Sequence, residues 1–301
     1  MSAYGGAVIH SATKSGKYGY FGSIGSVLKV DLDGFIVVGA HYDISIDNPD
    51  LFVYGNYIYY VAATVDRYDA STFKKISSIP AAPTNGYVYS AQVSGNYAYL
   101  TTGNLSVYDI KKLNLDTEQF VTAYTFPPVD EVPEIVFSYQ NYVYIQFKNH
   151  ILQQIDTTSW TKVNELNYSS YSSASSDHAT QFGQYGYIAG SGAQRVIKID
   201  LATLTIVDSG TFTDGITGII FSSDGSTGYL TTGTTKLLIY IFDTTSLAET
   251  GSINTTDYGY NYHYGMYYGN KLFLGSMSWD SNIIQIDTQK KQIINSISAI
   301  T

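Results

Sequence analysis

Short apolar or aromatic runs alternate along this chain with clusters of Gly, Ser, Thr, Asn and Asp. From Gly218 to Ile253 the pattern reads GIIFSSDG, STGYLTTG, KLLIYIFDTT and SLAETGSI, four strand-like runs separated by turn residues. Alternation with period two inside such runs predicts strands, and no segment keeps helical spacing over about 12 residues. The same four-part pattern recurs seven times.

Two anchors phase the repeat. One is an Asp closing an apolar run, at Asp31, Asp69, Asp109, Asp156, Asp200, Asp243 and Asp287. The other is an aromatic run opened by Gly, Asn or a near equivalent, around Tyr18, Tyr57, Tyr97, Tyr142, Tyr185, Tyr229 and Phe273. The anchors interleave in constant order. Four strands in about 40 to 45 residues make one propeller blade. A lone four-stranded sheet cannot bury both its faces, whereas a closed ring of sheets can.

The expected fold is therefore all-β: a seven-bladed β-propeller with four antiparallel strands per blade. It forms a single domain over 1–301, with blades at about 4–46, 47–84, 85–130, 131–173, 174–214, 215–256 and 257–301. The aromatic run is placed as the second strand and the Asp-closed run as the third. Each Asp is expected to bond the backbone of the turn that follows it, as in an Asx-turn. In this phase the N-terminal segment supplies the innermost strand of the first blade and the C-terminal segment the outermost strand of the last. Closure then rests on face packing.

Composition narrows the function classes. Thirty tyrosines and a charged fraction of 14% suit strands more than a polyelectrolyte surface. The net charge is −9 and the only arginines are Arg67 and Arg195, so the basic footprint that nucleic-acid binding needs is missing. There is no Cys, hence no disulfide frame and no thiolate chemistry. No apolar run approaches the roughly 18 residues of a membrane-spanning helix, so no membrane insertion is expected. The opening MSAYGGAVIHSATKSG lacks the pattern of a signal peptide.

YLTTG at 99–103 and 229–233, IDT at 155–157 and 286–288, and FSSDG before a strand resemble the YVTN-type propeller repeat. That repeat occurs in surface-layer proteins and in lactonase-like propellers. The resemblance covers nearly the whole chain, although Thr, Gly or Ser stands where those repeats carry Asn after the second strand. It implies the seven-bladed fold and an extracellular or cell-surface location, with a cytoplasmic location as the alternative.

Propellers gather ligands where the innermost strands converge. Counting six residues back from the reference Gly of each repeat gives His10, Pro49, Tyr89, Glu134, Asp177, Ile219 and His263. Two of the five histidines thus occupy matching positions on neighbouring blades, and His178 adds a third imidazole. Tyr262 comes from the tyrosine-rich stretch DYGYNYHYGMYYG at 257–269, whose rings suit strand packing or a sugar-stacking surface. The candidate ligand-binding set is therefore His10, Tyr89, Glu134, Asp177, His178, Tyr262 and His263. Imidazole and carboxylate sets can hold a metal or move protons. No HExxH, GxSxG, phosphate loop or zinc-ligand spacing is present, so neither a metal nor a cofactor is expected.

Other segments read as surface. DLDG at 31–34 starts like a calcium loop, but Tyr42 stands at the twelfth position, which leaves a turn. Asp130, Glu131 and Glu134 among prolines suggest a solvated loop, and YSSYSSASSDH at 168–178 an exposed one. Asn104, Asn167 and Asn254 open N-x-S/T patterns. The expected function is a non-enzymatic binding or structural propeller at a cell or particle surface, acting through self-association or through glycan or protein binding. The alternatives are a lyase- or hydrolase-like enzyme using His10 and His263, and an intracellular scaffold for other proteins.

Overall fold

The structure is a computed structural model that describes residues 9–23, 26–42, 50–81, 86–104, 107–127, 132–171, 177–190, 194–233, 237–258, 262–276 and 282–298. The first blade is β1 (Ile9–Ser15), β2 (Tyr18–Ser23), β3 (Ser26–Asp31) and β4 (Ile36–Tyr42). The second is β5 (Asp50–Tyr54), β6 (Tyr57–Val61), β7 (Thr64–Asp69) and β8 (Lys75–Pro80). The third is β9 (Tyr87–Ser94), β10 (Tyr97–Gly103), β11 (Tyr108–Asn114) and β12 (Gln119–Thr125), and the fourth β13 (Glu134–Tyr139), β14 (Tyr142–Phe147), β15 (Ile151–Asp156) and β16 (Thr161–Asn167). The fifth is β17 (Asp177–Phe182), β18 (Tyr185–Gly190), β19 (Arg195–Asp200) and β20 (Thr205–Thr211). The sixth is β21 (Ile216–Phe221), β22 (Thr227–Thr232), β23 (Leu238–Asp243) and β24 (Glu249–Asn254). The last is β25 (Tyr262–Tyr268), β26 (Lys271–Ser276), β27 (Asn282–Asp287) and β28 (Gln292–Ser298). Each blade is one antiparallel four-stranded sheet in chain order, so the fold is the seven-bladed propeller.

The turn between the third and fourth strands repeats one device. The carboxylate of Asp31 accepts the N–H groups two and three residues on, Asp33 and Gly34. Asp69, Asp156, Asp200, Asp243 and Asp287 each do the same. The residue four positions after each anchor then takes a left-handed backbone: Phe35, Phe73, Trp160, Leu204, Leu247 and Lys291. A carboxylate holding two amides pins the turn tightly enough for non-glycine residues to occupy that conformation.

The third blade corrects the sequence reading. Asp109 is the second residue of β11, opposite Thr102, and accepts a hydrogen bond from the Thr125 hydroxyl at 2.7 Å. The turn anchor is Asn114, which faces Tyr97 as the aspartates face the first residue of their second strands. Its side-chain oxygen takes the N–H groups of Asp116 and Thr117, and Glu118 supplies the left-handed residue. An amide oxygen serves an Asx-turn as well as a carboxylate does, while VYD merely imitates the motif.

Second-strand aromatics join neighbouring blades. The hydroxyls of Tyr20, Tyr59 and Tyr144 donate to the carbonyls of Ala70, Leu115 and Leu201, each the residue just after the next blade's anchor. The Tyr99 and Tyr229 hydroxyls lie close to the side chains of Thr157 and Thr288 at the equivalent place. From the fifth blade to the sixth, the Lys198 ammonium reaches the Thr244 carbonyl at 2.9 Å. At the ring seam Phe273 replaces Tyr. It packs instead with Phe35, Leu32, Met266 and Ile9 in a cluster drawn from the first and last blades. Among the described residues no strand crosses that seam.

Two segments read as loops depart from that reading. Glu134 is the first residue of β13, paired with Gln146. Tyr168 is fully buried, its ring edge against His150 and its N–H bonded to the His150 carbonyl. Among the side chains described in that run only Ser169 and Ser170 lie exposed; 172–176 fall outside the described residues. An apolar ring at a strand exit outweighs the polar composition around it.

Candidate functional site

The seven first strands, β1, β5, β9, β13, β17, β21 and β25, touch one another in cyclic order and close with β25 against β1. They surround the propeller axis, and their starting residues define one end of it. Those starts are irregular. His10, Tyr89, Thr217 and His263 sit at β-bulges opposite the second strands, whereas β5 and β17 pair without a bulge. A bulge adds one residue and re-aims a side chain. A fixed count back from the turn therefore reaches the bulged residue in β1, β9 and β25, falls two residues past it in β21, and falls one residue before Asp50 in β5 and His178 in β17. In the second blade the residue brought to the site is Asp50; Pro49, which the count picked out, lies outside the described residues. In the fifth it is His178. The structure describes only the backbone of Asp177, which pairs with Gly190.

Three imidazoles and two carboxyls converge here. The His178 and His263 rings meet edge to face with centroids 5.4 Å apart, although they belong to the fifth and seventh blades. Burial pushes the His178 imidazole down to about 4. Burial, helped by His178 and His10 beside it, takes His263 down to about 3. Burial also raises the Asp50 carboxyl to about 6, against the Ala91 N–H that bonds it at 2.8 Å and with the help of nearby Glu134. Glu134 is itself raised by burial, opposed by Lys148. The Tyr264 hydroxyl is held up at about 12 by burial and by those two carboxyls. His178, His263, Asp50, Glu134 and Tyr264 are each biased towards the neutral form.

The sixth blade makes room for this arrangement. A Cβ on Gly218 would stand 2.1 Å from the His263 carbonyl oxygen, so β21 and β25 approach backbone to backbone there. Thr217 ties them, its hydroxyl donating to the Tyr262 carbonyl at 3.0 Å. Ile219, which the count picked out, is buried in the core between the fifth and sixth blades.

Two residues of the expected set stand elsewhere. Tyr262 is a core residue between the sixth and seventh blades, its hydroxyl donating to the Tyr258 carbonyl. Tyr89 packs edge-on against Tyr108 at 5.6 Å, with its hydroxyl buried and lacking a hydrogen-bond partner among the described residues. Asp50 and Tyr264 are the residues the sequence reading missed. Tyr264 was one tyrosine among six, with no pattern to distinguish it. Among the described residues no group of three His, Asp or Glu side chains is arranged to hold a metal ion. The site instead offers closely spaced neutral imidazoles and a phenol beside two carboxyls raised by burial, Asp50 to about 6.

No family model matches the chain, and no curated protein matches its sequence. Solved structures do resemble it. The computationally designed Ika8 protein superposes with a TM-score of 0.64 at 13% identity, over 97% of this chain and 87% of that one. The Cps50 (Swd1) β-propeller domain of Myceliophteria thermophila gives 0.68 at 12% identity, over 91% and 94%. The dihydro-heme d1 dehydrogenase NirN, solved in complex with DHE, gives 0.65 at 15% identity, over 97% of this chain and 66% of that one. Identities this low establish the propeller fold that these chains share and nothing about their ligands.

Proposed function

We propose that this chain is a non-enzymatic binding propeller of a cell or particle surface, taking a neutral polyhydroxylated ligand, a glycan, at the histidine end of its axis. The convergence of neutral His178 and His263 with Asp50, Glu134 and Tyr264 carries this reading. Neutral imidazole and phenol groups, beside carboxyls raised towards their protonated form, match sugar hydroxyls, which both donate and accept. The YVTN-like repeat supports the surface location. So do the exposed positions of Asn104, Asn167 and Asn254. Self-association would use the outer rim, where β12 and β28 carry no charged residue and expose Val121 and Ile294. Such edges are open to pairing with another strand.

A panel of neutral oligosaccharides, screened by array and followed by calorimetry, tests this reading. Binding by the native chain should fall by about tenfold or more in His178→Ala, because buried hydrogen bonds to a ligand are lost. Absence of any neutral glycan ligand, or identical affinity in the variant, would overturn it.

One observation favours an enzyme as the second reading. Asp50 at about 6 lies near working pH, as a general acid or base should, with Glu134 close by. Turnover of a bound glycan that vanishes in Asp50→Asn while binding persists would transfer the assignment to that reading.

A further inference from the structure

At the opposite end of the same strands lies a cavity of about 310 Å³, bounded by β1, β17, β21 and β25. Lys14, Phe182 and Tyr267 line it, each four residues along its strand from His10, His178 and His263. At about 3.3 Å per residue the two ends stand roughly 13 Å apart. Phe221, Ser222 and Met266 complete the wall.

One side of this cavity is a fixed aromatic surface. Phe182 is 36% exposed and meets Phe221 edge to face at 5.8 Å, while Phe221 leans on Tyr187 at 4.7 Å. Gly225 backs it with a left-handed φ of 70°, and a Cβ there would fall 2.0 Å from the Phe182 ring. The ring is therefore held in place by backbone. The opposite side is cationic. The Lys14 ammonium donates to the Tyr267 carbonyl at 2.5 Å and stands 6.0 Å from the centre of the Tyr268 ring. No carboxylate forms an ion pair with it among the described residues. Partial burial lowers its pKa, as expected of a cation whose hydration is incomplete.

A stacking wall facing a partly desolvated ammonium without a counter-ion recognises a flat apolar body that carries one negative charge. We infer that this cavity is a second ligand site, separate from the histidine end, for a small aryl carboxylate. Its volume sits at the lower bound of small-molecule pockets, which suits one or two fused rings.

The probe is 1-naphthoate, titrated by calorimetry into the full chain, with 1-naphthalenemethanol as its uncharged counterpart. The native protein should bind 1-naphthoate. Lys14→Gln should weaken that binding about tenfold, the value of one charge-assisted hydrogen bond. Lys14→Arg should retain most of it, Phe182→Ala should abolish it, and His263→Ala should leave it unchanged. The neutral alcohol should bind the native chain and Lys14→Gln alike. Failure of 1-naphthoate to bind, equal affinity in Lys14→Gln, or loss on His263→Ala would each overturn the assignment. Circular dichroism on each variant establishes that it is folded. The glycan reading stands or falls separately, because its variant lies at the other end of the strands.

Discussion

At Gln140 the backbone turns through φ 53° in the two-residue link between β13 and β14. The matching links elsewhere use Gly16, Gly55, Gly95, Gly183 and Gly269, all with φ of 56° to 59° and open space where a Cβ would stand. A side chain in that conformation costs about 1–2 kcal/mol, partly offset by the greater unfolded-state freedom of glycine. Gln140→Gly should therefore stabilise the chain by up to about 1 kcal/mol in urea unfolding; a loss of stability would contradict this. Titration gives a second test. His178 and His263 stay neutral in the fold while the unfolded chain binds protons near 6.5, so the stability they contribute is lost as pH falls from 6.5 towards 4. Asp50 works in the opposite direction, since its raised carboxyl contributes stability that is lost as pH rises through about 6. Acidification from 6.5 to 4.5 should thus destabilise the native chain more than His178→Gln/His263→Gln. Parallel melting curves across that range would refute the buried-imidazole account.

The element that repeats most faithfully is the anchored turn between third and fourth strands. Asn114 performs in the third blade what aspartate performs in the other six. What matters is hence an oxygen acceptor at that position, with charge a lesser contribution. Asp200→Asn should leave the chemical-denaturation midpoint nearly unchanged, whereas Asp200→Ala should lower stability by about 1–2 kcal/mol, having stranded two turn amides. Equal losses in both variants would show that charge governs the turn. This device was legible in the sequence because it is local, an Asp and the three residues after it. The bulges in β1, β9, β21 and β25 were not legible. Whether an inner strand carries an extra residue depends on how it meets its neighbours, and that decides which residue, Asp50 in the second blade and His178 in the fifth, is brought to the axis.

At the scale of the ring, a hydroxyl or ammonium on the second or third strand reaches the next blade's turn at each of the other junctions, whereas at the seam Phe273 takes that place and meets Phe35 and Leu32. Closure there depends on that apolar cluster and on the Lys14 ammonium bonded to the Tyr267 carbonyl, with no strand shared among the described residues. Phe273→Ala should cost about 3–5 kcal/mol, and hydrogen exchange should show protection falling first in the first and last blades. Uniform loss around the ring would mean that the seam is no weaker than the other junctions.

The pattern along the chain by itself determined the strand content, the seven repeats and most of the turn anchors. Each of these is set by neighbours in sequence and by the need of every sheet to bury two faces. Only the tertiary structure decided which polar residues share an environment. His178 and His263 lie far apart in sequence, and their contact exists because Gly218 lets β21 press against β25. Lys14 and Phe182 border one cavity for the same kind of reason, as the ring brings their strands to one end of the axis. Local rules place a side chain on its strand, but only ring closure and backbone packing place strands from different blades side by side.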